Sequence, residues 1–168
     1  TVTLGTSGET FTVPTGVTIS GGLTNTPVFA VTLSGNQSLS NETETKVTFD
    51  TEAIDSDSAF ASNKFTVPAG KAGKYLIQTM IEIDTGQNAN FDSSYVAIKK
   101  NGSNVNYSSF DFRGNASRAF PCNATIVIDL AAADYLEVYT WISAAISASG
   151  LNALGGTTRS SFKGYKLT

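Results

Sequence analysis

Lys64 to Ile83, KFTVPAGKAGKYLIQTMIEI, decides the fold. Phe65 and Val67 alternate with polar residues and run into a Pro68–Gly70 corner; Gly73 then releases a long segment from Tyr75 to Ile83. Tyr75, Ile77, Thr79, Ile81 and Ile83 fall on one face of an extended chain, and Leu76, Gln78, Met80 and Glu82 on the other. Period-two alternation of this length predicts a strand, and apolar residues on both sides predict burial on both.

Outward from it, shorter segments repeat the pattern. Strands are expected over 28–33, 46–49, 94–100, 104–110, 124–130, 135–142 and 160–167. Polar or small-residue loops are expected over 34–44, 50–58, 85–93, 111–122 and 143–157. Asn101-Gly102 between two alternating runs signals a two-residue hairpin. No stretch sustains a helical period. The chain therefore reads as an all-β sandwich of about 8–10 antiparallel strands. Residues 1–26 break into short Thr-alternating pieces separated by glycines, too short to form a sheet face alone. They read as a β-rich neck or shaft that folds with partner chains, joined to a domain over 27–168.

Composition removes several function classes. The 168 residues contain no histidine, so Ser-His-Asp and Cys-His chemistry are excluded. With a net charge of −3 and scattered lysines, no basic face is available for nucleic acid. No apolar run approaches the ~20 residues of a membrane-spanning helix. Cys122 is the one cysteine and reads as a small buried hydrophobe. Asp50, Glu52, Asp55 and Asp57 place hard oxygen ligands close together, a weak calcium candidate without the bidentate Glu of a calcium-binding helix–loop–helix. The sequons at Asn36, Asn41, Asn101, Asn106, Asn115 and Asn123 reflect an Asn-, Ser- and Thr-rich composition. No catalytic residue and no cofactor is expected.

Phe49, Asp55, Phe60, Phe65, Gly73 and Tyr75 together resemble the signature of the globular head of complement component one-q, in the TNF-like jelly-roll superfamily. Lys100-Asn101-Gly102 looks like that family's hairpin. Leu130 with Asp134 to Val138 looks like its turn into a strand, with Ala133 where glycine is usual. Phe162, Gly164 and Leu167 look like its closing strand. The resemblance implies a compact homotrimer. The chain carries no collagen-like Gly-x-y repeat before the domain. A Thr/Gly-rich neck looks more like the copies of this domain on bacteriophage fibres and other virion proteins.

Tyr75, Ile77, Ile81, Tyr135, Tyr139, Trp141, Phe162 and Tyr165 are therefore expected in the core or the trimer interface. Loops far from the neck are expected to meet a host-surface polysaccharide, through Gln87, Asn88, Asn90, Phe91 and Asp92, then Asp111, Arg113, Asn115 and Arg118. The neck would bind other virion proteins, on a phage particle or otherwise outside the cell. A capsid decoration trimer and a secreted complement- or cytokine-like ligand are the alternatives.

Overall fold

In strand β7 (Gly73–Asp84) Tyr75, Ile77, Thr79, Ile81 and Ile83 are fully buried, while the residues between them are not. This is the alternation expected, and the rest of the molecule is arranged on its two sides. The computed structural model describes residues 15–16, 26–86, 90–145 and 150–168, with the backbone only at 90, 91, 114–116 and 145.

The other strands are β1 (Val28–Thr32), β2 (Gln37–Ser38), β3 (Thr45–Lys46), β4 (Thr51–Asp55), β5 (Phe60–Ala61), β6 (Lys64–Thr66), β8 (Asn90–Lys100), β9 (Ser103–Ala116), β10 (Ala119–Leu130), β11 (Tyr135–Ala145), β12 (Asn152–Ala153) and β13 (Ser161–Lys166). All pairings are antiparallel. In the first sheet β7 lies between β10 and β13, and β13 is followed by β1 and β4; β12 and β2 prolong the β13 side. In the second sheet β8 lies between β9 and β11, and β11 pairs on its other side with β6 and β3. Among the described residues no helix is long and apolar enough to cross a membrane.

The signature residues explain the core. Phe29 stacks on Phe65 at 4.4 Å and meets Phe162 edge-on at 4.9 Å. Phe49, Phe60 and Tyr75 join the same cluster. Gly164 leaves no room for a side chain unless its neighbours shift: a Cβ would lie 2.6 Å from both the Ile77 Cδ1 and the Phe29 Cε1. Asp55 holds the turn into β5, its carboxylate accepting the Ala59 and Phe60 amides at 2.8 and 3.0 Å. The Tyr75 hydroxyl donates to the Lys71 carbonyl at 2.5 Å. Burial, helped by Asp57, pushes its pKa to about 12. Asn101 (φ 50°) and Gly102 (φ 83°) adopt the left-handed pair that a tight hairpin between right-twisted strands requires.

Several expected boundaries change. Residues 50–58 contain β4, which lies at the sheet edge with Glu52, Ala53 and Ile54 exposed. Edge exposure removes the alternation that reveals a strand. Of the loops expected over 85–93 and 111–122, residues 90–93, 111–116 and 119–122 are instead the paired ends of β8, β9 and β10, where Phe112 and Phe120 pack against each other and against the core. β11 runs on to Ala145, and β12 and β2 occupy parts of two further expected loops. Conversely, of the strand expected over 46–49 only Lys46 is strand; Val47 and Phe49 fill the core from irregular backbone. The neck lies outside the described residues except for Thr15, Gly16 and Thr26.

Candidate functional site

Three surfaces contend for a role, and the strand registers define each. The first is the end of the sandwich far from Thr26. The chain enters at the opposite end, where Lys71 Nζ donates to Thr26 Oγ1 at 2.7 Å and the Lys166 amide to the Pro27 carbonyl at 3.1 Å. At the far end Phe91 pairs with Asn115, and Ser93 with Asp111. The bulge between these pairs holds Asp92 and Arg113, the latter at φ 48°. A bulge re-aims the side chains it carries. Arg113 and Asp111 form a solvent-exposed pair at 3.3 Å. Arg118 is exposed on the β9–β10 turn, where its carbonyl and that of Ser117 accept the Thr85 hydroxyl. The structure thus brings Asn90, Phe91, Asp92, Asp111, Arg113, Asn115 and Arg118 to one end, on strand ends and one turn. Gln87 and Asn88 lie outside the described residues.

The second surface is the outer face of the first sheet. Val127 pairs with Leu76, Leu76 with Tyr165, and Tyr165 with Val28, so four strands contribute one apolar row. The next row runs Thr125, Gln78, Lys163, Ala30 and Ile54. A shallow groove of about 260 Å³ lies between them, lined mostly by carbon from Val28, Ala30, Ile54, Leu76 and Tyr165. Val127, Ile54 and Tyr165 are 58%, 49% and 43% exposed, which leaves this patch open in the single chain. Sequence reasoning missed Val28, Ile54 and Val127, because only the register aligns them.

The third surface is the outer face of the second sheet, where Tyr135, Tyr139 and Trp141 sit half-buried. They are on the opposite side of the sandwich from Tyr165. Tyr75, Ile77, Ile81 and Phe162 are on neither face, since they pack between the sheets.

The acidic residues are not gathered. Asp50 accepts the amide and hydroxyl of Ser34, which lowers its pKa; Asp55 caps a turn; Asp57 pairs with Lys71 at 3.5 Å. Among the described residues no three potential ligands converge on a metal position. Cys122 is fully buried with its Sγ 3.2 Å from Ser94 Oγ, and burial raises its pKa to about 11. That thiol is inert packing.

Two facing antiparallel sheets with this strand order define a jelly-roll sandwich of the TNF and complement-q type. Solved structures with the same fold include the globular domain of a zebrafish complement 1qA protein. It has a TM-score of 0.58 at 14% identity over 85% of this chain and 98% of that one. An Eiger TNF from S. frugiperda has a TM-score of 0.62 at 14% identity, over 84% and 92%. Murine APRIL has a TM-score of 0.59 at 14% identity, over 83% and 98%. No protein-family profile matches the chain, and no curated protein matches it. At these identities the likeness is one of fold.

Proposed function

We propose that this chain is a non-enzymatic, homotrimeric recognition module: the tip or knob of a virion fibre, binding a glycan on the host surface. The observation that carries the assembly is the open row Val127, Leu76, Tyr165 and Val28. Left in water it is a liability; a second copy of the chain buries it. The row is unlike at its two ends. One end is Val127 on β10, whose other edge pairs with no strand of the sheet among the described residues; the other is Val28 with Ile54 nearby. A two-fold contact needs a self-complementary patch, whereas unlike ends suit a head-to-tail ring. Three is the number that the sequence resemblance implies.

In such a ring the second sheet and the far end face outward, away from the seam. The Thr-alternating, glycine-punctuated segment before Thr26 supports attachment to a fibre. Light scattering of the full chain tests assembly. A mass three times the 17.6 kDa of the chain is expected at micromolar concentration, and a monomer overturns it. Antibody labelling of intact particles tests the location. Label at fibre tips supports the reading, label over the capsid shell favours a decoration role, and no label on particles overturns both.

A further inference from the structure

The geometry points to a neutral saccharide bound on the outer face of the second sheet. Its apolar C–H face stacks on Tyr107, and its hydroxyls meet Tyr95, Glu44 and Lys99. This names the ligand class and the place for the glycan recognition proposed above, and it rests on that reading. Tyr107 on β9 is 61% exposed, more than any other large hydrophobic side chain among the described residues. Its ring stands at 90° to Tyr95 at 5.9 Å, and Tyr95 in turn stacks on Trp141 at 5.7 Å and 10°. Tyr95 is thus held between two rings, and Tyr107 is the member with open surface. Ala97, the cross-strand neighbour of both Tyr107 and Tyr139, is fully covered on this same face.

Polar groups are held in fixed positions beside Tyr95, the ring that Tyr107 meets, and beside Tyr139. The Tyr95 hydroxyl donates to Glu44 Oε1 at 2.9 Å, while Lys99 Nζ donates to Glu44 Oε2 at 2.5 Å. Lys99 also lies 4.2 Å over the Tyr139 ring. Lys46 pairs with Glu137 at 2.6 Å on the same sheet face. The Lys99–Glu44 and Lys46–Glu137 pairs each cancel, so they favour neither a polyanion nor a polycation. One open ring among ion pairs is too small an apolar core for a protein interface of about 800 Å² per partner. It does suit a ligand with one apolar face and a rim of hydroxyls. The ring stack and the ion pairs are formed before binding, so little order need be gained when a sugar arrives.

Trp141 is the only tryptophan of the chain, so its fluorescence reports directly on this patch. The full chain is titrated with neutral tetrasaccharides of glucose, mannose, galactose and N-acetylglucosamine, and with a heparin-derived tetrasaccharide as the acidic control. One neutral probe is expected to change Trp141 emission with a Kd of about 1 mM. Tyr107→Ala is expected to weaken that binding about tenfold, and Tyr107→Phe to keep it within about threefold, because the stacking surface is retained. Tyr107 is mostly exposed and meets Tyr95 edge-on, and a melting curve confirms that both variants fold. Tighter binding of the acidic probe overturns the neutral assignment. Sugar binding that survives Tyr107→Ala and disappears in Arg118→Ala places the site at the far end, overturning this inference and leaving the glycan-binding reading intact. No emission change with any probe in a trimeric chain also overturns it.

Discussion

The two outer faces of this sandwich are built from the same kind of alternating strand, yet they treat their large side chains in opposite ways. On the second sheet Tyr95, Tyr139 and Trp141 are stacked on each other or lie under Lys99, and Glu44 and Glu137 pair with Lys99 and Lys46. Apart from the open ring of Tyr107, that face is satisfied within one chain. On the first sheet Val127, Leu76, Tyr165, Val28 and Ile54 lie side by side, and Val127, Ile54 and Tyr165 are exposed. That is the face we propose another copy of the chain covers. Both kinds of row are hydrophobic by composition. Satisfaction by neighbours, rather than hydrophobicity, separates a finished surface from an unfinished one.

The comparison is broken most severely from beneath. Gly164→Ala is expected to destabilise the domain by about 1–3 kcal/mol, since the new methyl meets Phe29 and Ile77 in the wall that carries the first face. Denaturant unfolding measures it, and an unchanged midpoint contradicts the packing account. On the finished face Lys99→Met removes one ion pair and one cation–π contact. The expected loss is about 1 kcal/mol, with the oligomeric state unchanged. Thermal melting at low and high salt checks it, the difference from wild type narrowing in salt. A third substitution touches neither face. Ala133 sits at φ 68°, a left-handed conformation that an alanine side chain disfavours. Ala133→Gly is expected to change stability by no more than about 1 kcal/mol, as relief of strain offsets the greater freedom of the unfolded chain. A loss beyond 2 kcal/mol on the ~1 kcal/mol scale of such effects contradicts the strain argument.

Much of the frame was legible in the residues. Phe49, Asp55, Phe60, Phe65, Tyr75 and Phe162 are scattered in sequence but converge on one cluster or hold its turn, and the Asn101-Gly102 hairpin is where its dipeptide predicts. What was not legible depends on pairing. β4 hides because an edge strand with exposed residues shows no alternation. The ends of β8 and β9 hide because the register shifts between the Phe91–Asn115 and Ser93–Asp111 pairs, which breaks the period-two pattern by which a strand is read. For that reason Asp111 and Arg113 looked like loop residues and are strand residues. The row from Val127 to Val28 joins positions almost a hundred residues apart, so no local pattern announces it. Trp141 and Tyr139 were visible as an outward aromatic face, but only the structure shows that the second sheet presents them and that Lys99 and Tyr95 already occupy their rings.

The central claim is that the first face is covered by another copy while the second stays open. The most direct measurement is the solution mass of two single variants, Leu76→Asp and Tyr107→Asp, by light scattering at the concentration where wild type is trimeric. The account predicts that Leu76→Asp, which puts a charge into the row, falls to the mass of one chain with its melting behaviour as a folded domain intact, while Tyr107→Asp keeps the mass of three. A trimeric Leu76→Asp, or a Tyr107→Asp that dissociates, would contradict it.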